Sequence, residues 1–169
     1  MNPSALDSLR AIAPKLRLLT EPSDLEHYGR DWTRRWAPNP LAIALPARVD
    51  EVQAIVRWAR RQGIAIVPSG GRTGLSGGAV AAKGELVLSL ERMNKVLAFD
   101  AIDRTLTVQA GIALEAVHNA AREHGLQYPV DFAARGSASI GGTIATNAGG
   151  IRVIRYGNTR EWIAGLTVV

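Results

Sequence analysis

The sequence predicts a mixed α+β domain, and three observations predict it. Apolar residues recur three or four apart in separate segments, the spacing of one helix face. Short apolar runs bounded by glycine, proline and polar residues read as strands. The order runs strand, helix, strand, several further strands, helix and strand, which is not the strict alternation of an α/β domain.

The elements follow in order. Leu6, Leu9, Ile12, Leu16 and Leu19 place an amphipathic helix at the N-terminus. The polar and aromatic stretch from Ser23 to Pro40 reads as a short helix running into a loop, with Ser23 as N-cap. Leu41 to Leu45 is an apolar strand stopped by Pro46. Val49, Val52, Ile55, Val56 and Ala59 then form one helical face, which Gly63 closes. Ile64 to Val67, Glu85 to Leu90, Val96 to Phe99 and Thr105 to Gln109 read as strands. Leu114, Val117, Ala121 and Leu126 put a further helix on the core, ending near Gly125, and Trp162 to Val169 is read as a final apolar strand. Ending on that apolar run, the chain is expected to be a piece of a longer protein.

Composition bounds the function. At 169 residues, 47% hydrophobic and 21% charged, the chain is one globular domain, or one with a small extension. That length buries a sufficient core without metal or disulfide. The absence of Cys excludes disulfide scaffolds, thiolate zinc sites, iron–sulfur clusters and cysteine nucleophiles, leaving His27, His118 and His124 as the imidazoles. His118 and His124 lie on one helix without sharing a face, which favours surface or core roles over metal ligation. The formal charge is +5, and every basic residue except Lys15, Lys83 and Lys95 is Arg, the side chain suited to phosphate and carboxylate. An anionic partner is admitted: a nucleic acid, a membrane surface or a phosphorylated cofactor. No apolar run approaches the roughly 20 residues of a membrane span, and the N-terminal stretch lacks the apolar core of a secretory signal, so cytoplasmic residence is the expectation.

The glycines carry the sharpest signal. Of 17, one group lies in Pro68–Gly78 (Gly70, Gly71, Gly74, Gly77 and Gly78) and another in Gly136–Gly150 (Gly136, Gly141, Gly142, Gly149 and Gly150). Glycine is costly to order, so clustering asks for positive φ or a close approach by another group. Successive backbone N–H groups in such turns make concave nests for anions. Hydroxyls of Ser69, Thr73, Ser76, Ser137, Ser139 and Thr143 add donors, and Arg72 and Arg135 add charge, an inventory that suits a diphosphate. Flexible linkers are the plainer reading, but Ile140, Ile144 and Ala145 in the second stretch want burial. The Walker pattern, the Rossmann fingerprint and the hydrolase elbow are all absent.

Val67 to Gly78 resembles the diphosphate loop of the FAD-binding domain of the vanillyl-alcohol oxidase/para-cresol methylhydroxylase superfamily. Pro129 to Gly150, followed by Ile151 to Gly157, resembles its second flavin-contacting segment. The strings are most similar to the D-lactate, D-2-hydroxyglutarate and glycolate dehydrogenase branch, as are Glu85 to Val96 and Leu25 to Asp31 with its Tyr28. The resemblance implies two α+β subdomains, mixed sheets flanked by helices, with FAD between them. It implies a helical segment over 1–40 and an FAD-binding domain over 41–169. Pro68, Ser69, Gly70, Gly71, Arg72, Thr73, Gly74, Leu75 and Ser76 would wrap the diphosphate. Ser137, Ser139, Gly141, Gly142 and Thr143 would line the diphosphate and ribityl region. Ala145, Thr146, Asn147 and Ala148 would run along the isoalloxazine, and Asp131 is a further contact candidate.

Arg72 stands where covalent-flavin relatives carry His, so the resemblance implies dissociable FAD. Its guanidinium either meets the diphosphate or points to solvent. The whole enzyme would oxidise a D-2-hydroxy acid by hydride transfer to flavin N5 and pass electrons to a separate acceptor. Its catalytic base, substrate domain and any metal site are expected beyond Val169, so no catalytic residue is assigned here. A non-catalytic flavin module is the alternative. A nucleic-acid binder is a weaker one, resting on Arg34, Arg35, Arg57, Arg60 and Arg61 near Trp32, Trp36 and Trp58. The solvated face of a helix accounts more simply for Arg57, Arg60 and Arg61.

Overall fold

The computed structural model describes residues 3–169. The chain divides into two compact units, one reaching Arg92 and the other running from Met93 to Val168.

The first unit is built on a four-stranded sheet in the order β1-β2-β4-β3. Strand β1 (Arg17–Leu19) pairs antiparallel with β2 (Ala42–Leu45), while β4 (Leu86–Ser89) runs parallel to both β2 and β3 (Ile66–Ser69). The two central strands, β2 and β4, are buried at every position, as their unbroken apolar runs require of strands covered on both faces. β3 lies at the edge and carries Pro68. Ser69 O and Ala65 O accept from Leu90 and Leu86, so the odd-numbered residues of β3 face the ladder, and the missing N–H of Pro68 falls on the outward side where it costs no bond.

Three helices complete this unit: α1 (Pro3–Ile12), α2 (Pro22–Tyr28) and α3 (Val49–Gln62). Gly63 ends α3 in the left-handed region at φ 65°, returning its N–H to Ala59 and Arg60 carbonyls, as expected. The buried face of α3 is Val52, Ile55, Trp58 and Ala59, whereas Val49 is exposed and Val56 only partly covered. Trp58 is 1% exposed and its Nε1 donates to Ser8 Oγ on α1 at 2.8 Å, so it offers no ring for base stacking. Arg57, Arg60 and Arg61 lie on the solvated face.

Two expectations fail here. Leu19 belongs to β1 rather than to the first helix, which stops at Ile12. Its partner Ile43 on β2 supplies the ladder that helical spacing alone does not reveal. Ser23 is not the N-cap of α2: Pro22 already occupies the first turn, where its missing N–H is harmless, and Glu21 becomes the cap residue.

In the second unit β5 (Val96–Asp100) and β6 (Thr105–Val108) form an antiparallel hairpin with an irregularity between Val96 and Ala98. Asp100 Oδ1 accepts from the Ile102 and Asp103 amides and ties the turn. α4 (Leu114–Glu123) buries Leu114, Val117 and His118, and Ile112 and Ile140 join its core. Then come a 3₁₀ turn (Ala133–Gly136), α5 (Ile140–Ala145), α6 (Val153–Tyr156) and a second 3₁₀ turn (Thr159–Trp162).

The expected final strand over Trp162–Val169 does not form. Trp162 closes the 3₁₀ turn, and among the described residues nothing pairs with the segment that follows. An apolar run needs a ladder partner for its backbone before it becomes a strand. Leu166, Val168 and Val169 are exposed.

Candidate functional site

β3 and β4 end together at Ser69 and Ser89, opposite each other in register. The crevice at the carboxyl ends of parallel strands is where such sheets bind ligands. Both hydroxyls are buried, and neither Oγ has a hydrogen-bond partner. The first glycine stretch leaves the sheet from Ser69. From Gly70 to Ser76 the backbone N–H groups donate to no described residue, although only Gly74, Leu75 and Ser76 are exposed. A run of uncommitted amides beside orphaned buried hydroxyls fits an anionic ligand such as a diphosphate.

Both ends of this loop are anchored. Arg72 adopts φ 55°, a left-handed conformation that costs a non-glycine residue about 1–3 kcal/mol unless its surroundings hold it. Its Nη1 donates to Gly70 O at 3.3 Å, its Nη2 lies 3.0 Å from His27 Nε2, and its Cζ sits 4.6 Å from the centre of the Tyr28 ring. Tyr28 Oη in turn donates to Glu91 Oε1 at 2.7 Å. Burial, then the Glu91 carboxylate, push the Tyr28 phenol up to about 12. At the far end, Asp31 Oδ2 accepts from Gly77 N at 3.0 Å, and Oδ1 accepts from Thr33 Oγ1 at 2.7 Å and Thr33 N at 3.0 Å. The Thr33 hydroxyl and these amides hold the Asp31 carboxyl below the usual carboxylate range. Gly77 itself needs its freedom: φ is 81°, and a Cβ there would meet the Trp36 ring at 3.1 Å.

The second glycine stretch is differently made. Ser139 caps α5 by accepting from Gly142 N, and Thr143 Oγ1 donates to Ile140 O at 2.8 Å. Thr146 Oγ1 donates to Gly142 O, and Asn147, at φ 47°, accepts from Arg160 N through Oδ1. The amides of Ile140, Gly141, Thr143, Thr146, Asn147 and Ala148 bond to the chain itself. Its glycines answer to close packing of the chain on itself. A Cβ on Gly141 would lie 2.9 Å from Ala110 Cβ and O, and one on Gly150 would drive into Asp131 O. Ser137, Gly142, Ala145 and Thr146 remain exposed, and the Gly149 and Gly150 amides donate to no described residue. Asp131 is buried; Arg135 Nη1 donates to its Oδ1 at 3.0 Å, with Arg152 near its other oxygen at 3.9 Å. Arg135 above all holds the Asp131 carboxyl low. With His118, Arg122 and Tyr128 these groups line a polar cleft of about 140 Å³ on this unit.

Of the imidazoles, His27 meets Arg72, His118 bonds Val130 O through Nε2 at 2.8 Å, and His124 stacks on Phe99 at 3.6 Å. No group of His, Cys, Asp and Glu among the described residues is arranged to hold a metal. Asp31, His27 and Ser89 are among the contributors around the first loop that the sequence did not place there, together with Thr33, Trp36 and Glu91. Asp31 stands 46 positions from Gly77, and no spacing rule joins them.

The FAD binding domain family matches residues 40–169. A D-2-hydroxyglutarate dehydrogenase of Xanthomonas citri pv. viticola is 81% identical over 162 residues, covering 96% of this chain and 34% of that protein. One from Stutzerimonas stutzeri is 51% identical, covering 99% of this chain and 36% of that protein. A D-2-hydroxyglutarate dehydrogenase of Bos taurus, named as mitochondrial, is 40% identical over 97% of this chain and 30% of that protein. The chain therefore spans about a third of the length of the curated relatives it matches. Among solved structures, a xylooligosaccharide oxidase from Myceliophthora thermophila C1 superposes with a TM-score of 0.80 at 25% identity, covering 94% of this chain and 33% of that one. An alkyldihydroxyacetonephosphate synthase gives 0.80 at 22% identity, covering 97% and 32%. The α+β flavin fold of the para-cresol methylhydroxylase type is thus the fold of this chain.

Proposed function

Because this chain belongs to the FAD binding domain family, we propose that it is the flavin-binding part of an oxidoreductase acting on a D-2-hydroxy acid of the 2-hydroxyglutarate, lactate or glycolate class. The observation that carries the reading is the Gly70–Ser76 run of uncommitted amides at the carboxyl ends of β3 and β4. The names of the relatives narrow the substrate, with D-2-hydroxyglutarate first among them.

The Pro68–Ser76 backbone would hold the diphosphate of FAD through its amides and the Ser69 hydroxyl. Ser137, Ser139, Gly141, Gly142 and Thr143 would serve the diphosphate and ribityl region, and Ala145 to Ala148 the isoalloxazine. Asp131 would act mainly through the placement of Arg135 and Arg152. Residues 41–169 would form the flavin-binding domain, with 1–40 as its N-terminal segment. FAD, when bound, supplies the hydride acceptor for the substrate C2 and passes the electrons to a separate acceptor. The protein's share is to bind and orient the flavin and to exclude water. The catalytic base belongs to the rest of the enzyme. Binding would be non-covalent, because the chain has no Cys and position 72 offers a guanidinium already engaged with His27 and Tyr28. Residence in the cytoplasm is part of the same proposal, tested by fractionating cells that express the whole gene.

The test is the full-length protein. Flavin absorbance in the purified protein, release of the flavin into solution on acid precipitation, and dye reduction on adding D-2-hydroxyglutarate, D-lactate or glycolate are the expected results. A colourless full-length protein overturns the cofactor. A flavin that precipitates with the polypeptide overturns non-covalent binding. A flavoprotein reduced by none of the three acids overturns the substrate class.

A further inference from the structure

We infer that Arg72 is a positioning residue for FAD, and that it acts by latching the glycine loop onto α2 rather than by touching the diphosphate. The inference rests on the flavin reading above and deepens it.

Four observations converge. Arg72 holds a strained left-handed backbone at φ 55°, which a non-glycine residue keeps only when its surroundings over-determine it. Its guanidinium is spent on three partners inside this unit: its own loop at Gly70 O, the His27 imidazole and the face of Tyr28. The two aromatic partners are themselves fixed. Their rings meet edge-on at 5.0 Å, and Tyr28 is tied through its hydroxyl to Glu91, just beyond β4. The latch therefore joins the loop to both α2 and the chain after β4, next to the ends of β3 and β4 that carry the orphaned Ser69 and Ser89 hydroxyls.

A direct ion pair with a diphosphate would compete for a guanidinium whose Nη1 and Nη2 already donate to Gly70 and His27 and whose face lies on Tyr28. Kept where it stands, it lets the neighbouring amides stay uncommitted while the backbone that carries them is held still. A loop already in its binding shape loses less conformational freedom when the anion arrives. The side chain thus contributes to affinity through backbone order.

The two roles predict different behaviour in a mutant cycle. In the full-length protein, stripped of flavin and titrated with FAD, R72A is expected to raise the Kd about tenfold, the scale of one cation–π contact plus one or two hydrogen bonds. Y28L should raise it severalfold, and R72A/Y28L should be no weaker than R72A alone, because both remove one device. The dependence of Kd on KCl should match wild type in every variant, since no phosphate charge pair is lost. R72K should bind like R72A, because an ammonium cannot bond Gly70 and His27 while lying on the Tyr28 face. H27A replaces Y28L in the cycle if the latter fails to fold.

Additive losses in the double variant, wild-type affinity in R72K, or a shallower salt dependence in R72A would each overturn the latch in favour of direct charge recognition. Wild-type Kd in R72A would overturn it outright. Failure of the unmutated protein to bind FAD at all would overturn the flavin reading instead.

Discussion

Asp31→Asn isolates the anchor at the far end of the glycine loop. The carboxylate is only 4% exposed and receives three hydrogen bonds, two from Thr33 on one oxygen and one from Gly77 on the other. Asn keeps nearly the same shape but has one acceptor oxygen. If that oxygen stays with Thr33, the new NH₂ faces the Gly77 N–H, donor against donor; if it turns to Gly77, the Thr33 pair is lost. A hydrogen bond to a charged group contributes about 1.5–3 kcal/mol, and a stranded buried donor costs a similar amount. The expected destabilisation at pH 7 is therefore about 2–3 kcal/mol, a fall in thermal midpoint of roughly 4–12 °C for a domain of this size. The native carboxyl is held below its ordinary range, so its contribution is fully present above about pH 4 and disappears as pH falls through the folded-state value. Urea denaturation at a series of pH values should show the wild-type advantage at pH 7 shrinking steadily below pH 4. Equal stability at pH 7, or a gap that stays constant down to pH 3, would refute the role given to Asp31.

Other outcomes follow from the same contacts. The Tyr28 phenol, raised to about 12, favours the folded protein below about pH 10, and the advantage is lost as pH climbs toward 12. Ultraviolet titration should show Tyr28 ionising late together with Tyr128, whose burial also raises its phenol, and Tyr28→Phe should remove one of these late steps and leave the other. Gly150→Ala forces a Cβ against the Asp131 carbonyl and should cost about 3 kcal/mol or more of stability, read by denaturant midpoint. Gly74→Ala meets open space and has no positive φ, so it should leave stability within about 0.5 kcal/mol while weakening FAD binding; unchanged binding would mean that nothing approaches the loop closely there. Trp58→Ala removes a fully buried ring and its hydrogen bond to Ser8 Oγ, which keeps its own bond to Ala5 O, at an expected cost of about 3–5 kcal/mol.

The strands β2 and β4 were legible because burial on both faces leaves only apolar residues, and α3 because its face and its closing Gly63 agree. β1 was not, since three residues carry no period of their own and are held by register with β2. The last apolar run misled for the complementary reason: apolar composition does not supply a partner strand. At the site, the glycines marked both stretches but not their difference. Gly74 sits in open space, whereas Gly141 and Gly150 are required by Ala110 and Asp131, and sequence alone gives all three the same letter. Arg72 was visible as a charge, yet its engagement with Tyr28 depends on α2 lying beside the loop, a tertiary fact.

Pro68 carries a last consequence. The outer margin of β3 shows no amide at that point, so a strand from another molecule trying to zip along it would meet a gap in the donor row. The ring that rigidifies the approach to the glycine turn thereby also discourages strand addition along this rim.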